Sequence, residues 1–469
     1  ASFSELATVL NNAGITCPVT INVRDGVYDD KFVVANVLGN SLTNTITIQG
    51  ESGDSSLVTL EHTDDVTYKF IDINNVDGFT FRHMKIQFKS SNASYPLTFT
   101  GCDSLRLVNC DFNSQIQYNN GSMSNHGRTT SRHRFSFTNC RGVLIENNAN
   151  LIGWRIQDSD EDHYVYRILN NTNVSSPNAD VIYYNGYSRL ESIKLIISGN
   201  TLTETFSSSD YILDIRTSIY SSDTVIVSNN IFYTPGNTWR SHSRVQMGLD
   251  SDLLVFKDNI FTNSDPTYTN YLSLQRSDSV LRNTFHDTRI VINYGSPYIA
   301  NNKLLRNVTN SNYTSLSLNN CTPTVLNNYI VVGGLLESMG ILLSNCSYGP
   351  TLIAHNSISN VGSSSTSYGL YLNGTNDSLT IKNNIFSCGS GGVPLYVQSP
   401  ISTKDWDYNC YYTTGNTLAE YDGNSYSDLT SLGIAMGSDA NSIQEDPYYV
   451  SETDLTVNNA LTKSALVLP

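Results

Sequence analysis

Long apolar stretches are missing from this chain of 469 residues: no run of 18 uninterrupted apolar residues occurs, which argues against a membrane-spanning helix. It opens without Met and without a charged segment followed by an apolar one, so a mature protein or an excised segment of a larger polypeptide is expected. Charge is scarce at 15%, and the 27 basic residues are outnumbered by 42 acidic ones, giving −15. A nucleic-acid or anionic-membrane partner requires a basic stripe that this balance does not supply. The eight cysteines include no C-x-x-C pair, so a paired-thiolate zinc site is not indicated, and they are too sparse for a disulfide scaffold.

Helical periodicity is also largely lacking. What recurs instead is a short phrase of an apolar residue, one or two polar ones, Asn, and an apolar residue again, as in Val227-Ser228-Asn229-Asn230-Ile231-Phe232 and Ile381-Lys382-Asn383-Asn384-Ile385-Phe386. The second or only Asn marks a series: Asn200, Asn230, Asn259, Asn283, Asn302, Asn328, Asn356 and Asn384, with Asn109 and Asn148 as looser earlier instances. The spacings from 200 onward, 30, 29, 24, 19, 26, 28 and 28, suit one turn of a solenoid with loops of variable length.

Ahead of each marker lies a second apolar alternation, such as Phe135 to Phe137, Tyr211 to Ile215 and Leu370 to Leu372. Period-two runs this short, bounded by Asn, Gly, Ser and Asp, read as strands. A helical repeat would need apolar spacing near 3.6, and a propeller blade a unit of roughly 40 residues. The fold class expected is therefore all-β, a single-stranded right-handed parallel β-helix.

Stacked strands lie about 4.8 Å apart, so each marker Asn would pass amide hydrogen bonds to the Asn above and below. Asn also tolerates the left-handed backbone that a sharp corner needs. Two places after the markers, Phe232, Phe261, Phe285, Leu304, Ile330, Ile358 and Phe386 are expected to stack inward. Cys102, Cys140, Cys321 and Cys346 each follow a strand in matching context, which suggests one corner position used repeatedly by a small buried thiol, with disulfides as the less favoured alternative.

Open solenoids need capped ends. Ser2-Phe3-Ser4-Glu5 has capping-box spacing, Phe3, Leu6, Val9 and Leu10 form an apolar face, and Gly14 offers a stop, so residues 1–14 read as an amino-terminal capping helix. Residues 15–400 read as the β-helix, with long loops at 113–134 and 152–180, and 401–469 as an irregular carboxy-terminal cap containing a helix from Ser427 to Met436.

Long loops held at their bases by a rigid stack are frequent functional positions. They bring forward Arg132, Arg134, Trp154 and Arg155, with Trp239 and His242 from nearby coils, as candidate ligand-binding residues. Asp158, Asp160, Glu161 and Asp162 would supply calcium ligands if the chain cleaved a uronate polysaccharide by β-elimination, with Arg216 or Arg240 removing the proton. Hydrolysis would need two carboxylates about 5 to 9 Å apart, and the outward strand positions Asp72, Thr98, Ser136, Tyr183, Asp214, Gln246 and Ser273 do not assemble them. The plainer reading of these charges is solvated loop salt bridges. Asp followed by Ser or Thr and an aliphatic residue occurs around Ser104, Thr224, Ser279 and Ser378, which resembles an O-glycosylation signal of secreted Bacteroidota proteins; a turn followed by a strand generates the same pattern.

The opening, Gly14-Ile15-Thr16-Cys17-Pro18-Val19-Thr20-Ile21-Asn22-Val23 with Asp25-Gly26-Val27-Tyr28 and Thr45-Ile46-Thr47-Ile48-Gln49-Gly50, resembles the first coils of pectin-lyase-like β-helix regions in large Bacteroidota surface proteins exported by the type IX system. The tail, with Trp406-Asp407-Tyr408-Asn409-Cys410-Tyr411-Tyr412, Asp439-Ala440-Asn441-Ser442-Ile443 and Asp446-Pro447-Tyr448-Tyr449-Val450, resembles them too. That resemblance implies an extracellular or cell-surface setting and adhesion or attachment to polysaccharide. Pectate lyases share the fold, but no catalytic motif of theirs transfers to this sequence.

The preferred expectation is a non-catalytic surface rod that binds extracellular polysaccharide or other surface proteins, with no required cofactor. The alternative is a polysaccharide lyase or glycoside hydrolase working on an acidic polysaccharide in a groove near residues 113 to 250, with calcium.

Overall fold

The structure, a computed structural model, describes residues 2–62, 69–88, 97–112, 135–151, 153–157, 163–172, 174–176, 181–185, 192–204, 211–216, 223–234, 242–246, 253–263, 270–276, 279–306, 312–334, 336–362, 364–389, 391–451 and 454–457. The chain forms two compact units, residues 1–233 with 247–253, and residues 234–246 with 254–469. Each is an all-β parallel solenoid, as the repeat predicts. Among the described residues the α-helices are α1 (Phe3–Ala13) and α2 (Leu429–Met436), and neither is long and apolar enough to cross a membrane.

Among the described residues successive coils add one parallel strand in register to each of three long sheets, the first opening with Val19–Val23 and Ile46–Gly50, the second with Phe32–Ala35 and Ile71–Asn74, and the third with Val174–Ser176 and Thr201–Glu204. In the first unit one column of the second sheet runs Phe32, Ile71, Leu97, Phe135, Trp154, Ile182, Leu213. All seven are buried, because side chains alternate across the strand and this column faces the interior. In the second unit the third sheet stacks Phe261, Phe285, Leu304, Ile330, Ile358, Phe386 and Tyr411. Six of the seven residues expected two places after the markers stand here, with Tyr411 added, while the seventh, Phe232, is buried in the first unit in register with Leu202. Burying each such side chain is worth roughly 1.5 to 3 kcal/mol.

The marker asparagines form a ladder in each unit. In the first, the backbone N–H and Nδ2 of Asn148 both donate to Oδ1 of Asn171, those of Asn171 to Asn200, and the N–H and Nδ2 of Asn200 to Asn230. In the second, the same pairs of bonds join Asn259, Asn283, Asn302, Asn328, Asn356, Asn384 and Asn409 in turn. The left-handed residue is not the ladder Asn itself but the one before it: Asn229, Asn327 and Asn383 have φ of 55°, 52° and 57°. The Asn-Asn pair thus divides the work, the first residue turning the corner and the second bonding coil to coil.

Two boundaries differ from expectation. Residues 152–180 are not one long loop: Trp154–Gln157, His163–Leu169 and Val174–Ser176 are strands of an ordinary coil whose ladder residue is Asn171. Val174 pairs with Leu202, three residues after its Asn where Leu202 is two after Asn200, and that extra residue broke the repeat phrase. At the other end the solenoid continues past 401 through Lys404–Asp407, Cys410–Thr413 and Ala419–Tyr421, all paired in parallel. Residues 113–134 lie outside the described residues.

The amino-terminal cap is as expected, with Ser2 and Glu5 forming a reciprocal capping box, although Ala7 rather than the exposed Val9 joins Phe3 and Leu10 in the buried face. At the far end Asp439 and Ser442 replace the next asparagine. Asn409 donates its Nδ2 to Asp439 and its backbone N–H to Ser442 Oγ. The corner thiols stack from coil to coil: Cys102 hydrogen-bonds Cys140, and the Sγ atoms of Cys321 and Cys346 are 3.8 Å apart.

Candidate functional site

The outward side of the second sheet carries the chemistry. In the first unit the outward columns, read along the coils, are Asp72, Thr98, Ser136, Arg155, Tyr183, Asp214 and, two residues on, Asn74, Thr100, Thr138, Gln157, with Arg216 two residues after Asp214. Every strand here alternates inward and outward, so each buried member of the core column holds an outward neighbour at a fixed place.

Three coils converge on Tyr183. The Arg155 guanidinium carbon is 5.7 Å from the centre of the Tyr183 ring and that of Arg216 is 5.9 Å from it. Such cation–π contacts contribute about 0.5–1 kcal/mol each where solvent reaches them. Arg216 is held by Asp214 through two parallel bonds, Nε to Oδ1 at 3.0 Å and Nη2 to Oδ2 at 2.6 Å. The Asp214 side chain is 2% exposed and the Arg216 side chain 39% exposed. The carboxylate is therefore a buried anchor, while the guanidinium retains surface for a ligand.

The two charge-assisted bonds to a buried carboxylate fix the position and plane of the Arg216 guanidinium.

The other sequence candidates fall out as follows. Trp154 is not a surface binding residue: it is fully buried in the inward column between Phe135 and Ile182, because residue 155 takes the outward place. Arg155 is on the wall as described. His242 opens a strand in register with Tyr271. Arg132, Arg134, Asp158, Asp160, Glu161, Asp162, Trp239 and Arg240 lie outside the described residues. Among the described residues no three His, Cys, Asp or Glu side chains converge as a metal ion would require.

Ser104 and Ser378 sit in left-handed turns just before strands, with φ of 58° and 54°, while Thr224 and Ser279 are the first residues of strands. The preceding aspartates bind neighbouring coils: Asp103 accepts from Arg141 Nε, Asp223 from the Ile193 N–H, and Asp377 from Ser402. The turn-and-strand pattern thus has a structural cause at these positions.

In the strand His242–Gln246, Arg244 is in register with Ser273 and Gln246 with Gln275. In the second unit Tyr271 and Arg289 form a further pair of this type in register on neighbouring strands, the guanidinium 5.1 Å from the ring. The Arg306 guanidinium is 3.6 Å from Tyr313, but both residues are buried and Arg306 follows Lys303–Leu305, a strand of another sheet. Burial pushes the Tyr313 phenol up to about 12 against the opposing pull of Arg306, so it stays protonated at any physiological pH.

No protein-family model matches the chain. No curated protein matches it either. Among solved structures, one described as a mannuronic-acid-specific polysaccharide family 6 lyase from human gut microbiota is similar at 10% identity and a TM-score of 0.29, over 99% of this chain and 96% of that one.

Proposed function

We propose that the chain is a non-catalytic extracellular glycan-binding solenoid, and that it holds an acidic polysaccharide against the outward wall of the second sheet in the first unit. The observation that carries this reading is the placement of Arg155 and Arg216 about Tyr183, with Asp214 fixing Arg216. Two guanidiniums, on the coils to either side of that of Tyr183, supply forked donors for sugar carboxylates, and the aromatic residue between them supplies apolar surface for a pyranose ring. The low content of charged side chains and the 29 tyrosines fit an extracellular setting.

The net charge of −15 opposes a polyanion at long range. At physiological ionic strength that repulsion is screened beyond about 8 Å, so the guanidiniums dominate at contact distance. The test is titration of the full chain with oligouronates, alongside ultraviolet absorbance for unsaturated uronate. We expect binding without turnover, and a loss of about tenfold or more in affinity in Arg155→Ala. Accumulation of unsaturated product would replace this reading with the lyase, and unchanged affinity in Arg155→Ala would remove the wall from it.

A further inference from the structure

The last coils of the second unit carry a different outward surface. Leu342, Tyr371, Tyr396 and Glu420 form one column of the second sheet, and Met339, Tyr368 and Val393 another. The Tyr371 and Tyr396 rings are parallel within 5° at 4.3 Å, and Tyr368 meets them edge-on at 4.9 and 5.2 Å. In a regular strand residues three apart point to opposite faces, so Tyr368 and Tyr371 meet only because the backbone bends between them.

Two glycines stand at this point of neighbouring strands, where a side chain has no room. A Cβ on Gly340 would come within 2.6 Å of the Gly369 carbonyl oxygen, and one on Gly369 within 2.7 Å of the Pro394 carbonyl oxygen. The bend gathers three phenols into one ridge in which Tyr371 and Tyr396 stay half-buried, flanked by the half-buried Met339 and Leu342.

The electrostatics of this ridge are the reverse of the arginine wall. The charges felt by Tyr368 and Tyr371 come from Glu337 and Glu420 and from neighbouring phenols. Burial, then Glu420, raises the Tyr368 phenol to about 12, and burial, then Tyr396, raises Tyr371 as well. These phenols remain neutral donors. Glu337 immediately precedes the strand Ser338–Ser344 and Glu420 lies in Ala419–Tyr421, three coil steps on and in register with Leu342, so the two are about 14 Å apart along the stack at a strand spacing of about 4.8 Å and are offset along the strands as well, room for a short oligosaccharide laid obliquely across the coils.

We infer that the ridge is a second saccharide site, one that takes a cationic amino-sugar chain: ammonium groups pair with Glu337 and Glu420 while pyranose rings rest against the half-buried Tyr371 and Tyr396, which the buried Tyr368 supports from beneath. Charge complementarity selects the occupant. A uronate chain would bring its carboxylates against two acidic side chains, a neutral chain would leave both carboxylates without counter-charge, and an amino-sugar chain satisfies them. The inference stands apart from the acidic-polysaccharide reading, since it uses other residues in the other unit.

The experiment titrates the full chain, at mildly acidic pH, with a glucosamine oligomer, its fully N-acetylated counterpart and a lysine oligopeptide of equal charge. The expected result is a preference of at least about tenfold for the free-amine sugar over the N-acetylated one, abolished in the Glu337→Gln, Glu420→Gln double variant. Tyr396→Ala should weaken the same binding by at least about tenfold, and Arg155→Ala should leave it unchanged. Equal affinity for the two sugars, or a preference that survives the double glutamine variant, overturns the charge argument. Tighter binding of the lysine peptide overturns the saccharide assignment in favour of a protein segment. The glutamine variants keep side-chain size and a circular dichroism control reports folding, so a failure to fold is recognised as such.

Discussion

At the scale of the residue, most of what holds each unit is a small polar group used in an unusual place. Asn302 is 1% exposed, yet its N–H, both Nδ2 hydrogens and its carbonyl side-chain oxygen are all used within the stack. Buried polar groups cost nothing extra when so paired and about 1–3 kcal/mol each when not. Asp439, which ends the second ladder, is the one carboxylate in this series. It accepts from Asn409, Ser442 and Tyr411, but burial outweighs these bonds and raises its carboxyl above the ordinary 3.8. An acid raised in the folded state binds more protons folded than unfolded as the pH falls toward 3.8, so its penalty is full at neutral pH and fades on acidification. Asp439→Asn keeps an oxygen acceptor for Asn409 and removes the titration. We therefore expect the wild-type chain to gain stability relative to Asp439→Asn as the pH is lowered from neutral toward 4, read by denaturant midpoints at each pH; a difference independent of pH would contradict the assignment.

At the scale of the element, one strand shows how alternation assigns opposite roles to adjacent residues. Trp154 enters the core and Arg155 stands on the wall, separated by a single peptide bond. Truncating the first should cost about 3–5 kcal/mol of stability through the cavity it leaves. Truncating the second should cost less than about 1 kcal/mol, since it loses a solvent-accessible cation–π contact, while oligouronate affinity falls. Urea denaturation of Trp154→Ala and Arg155→Ala side by side checks both. The sequence of this coil reads as loop because it carries one extra residue before Val174, so Asn173 stands where the repeat has an apolar residue. The tyrosine ridge is hidden from sequence periodicity for a related reason. Ser338-Met339-Gly340-Ile341-Leu342 and Ser367-Tyr368-Gly369-Leu370-Tyr371 repeat visibly, but simple period-two alternation puts the two tyrosines on opposite faces, and only the backbone bend brings them together.

At the scale of the whole molecule, stability in each unit is a sum of coils and of the interfaces between neighbouring coils. Asn328→Ala removes the oxygen that accepts the Asn302 N–H and Nδ2, stranding the buried N–H, and removes the Nδ2 that donates to the Ile299 carbonyl and to Asn356. We expect a loss of about 2–5 kcal/mol in the second unit. Amide hydrogen exchange should rise most around residues 299–305 and 353–358 and least around 404–413; a uniform rise across the unit would contradict coil-by-coil coupling. The parallel coil, its asparagine ladder, the inward stack from Phe261 to Phe386 and the capping box at Ser2 were all legible in the sequence, because each depends on the spacing of residues within one coil. Which outward side chains meet was not legible. Arg155, Tyr183 and Arg216 lie on three different coils, and their meeting depends on how many residues each intervening turn absorbs and where the backbone bends. Local periodicity determined the architecture; lateral register, a property of the folded stack alone, decided the surface on which ligands would bind.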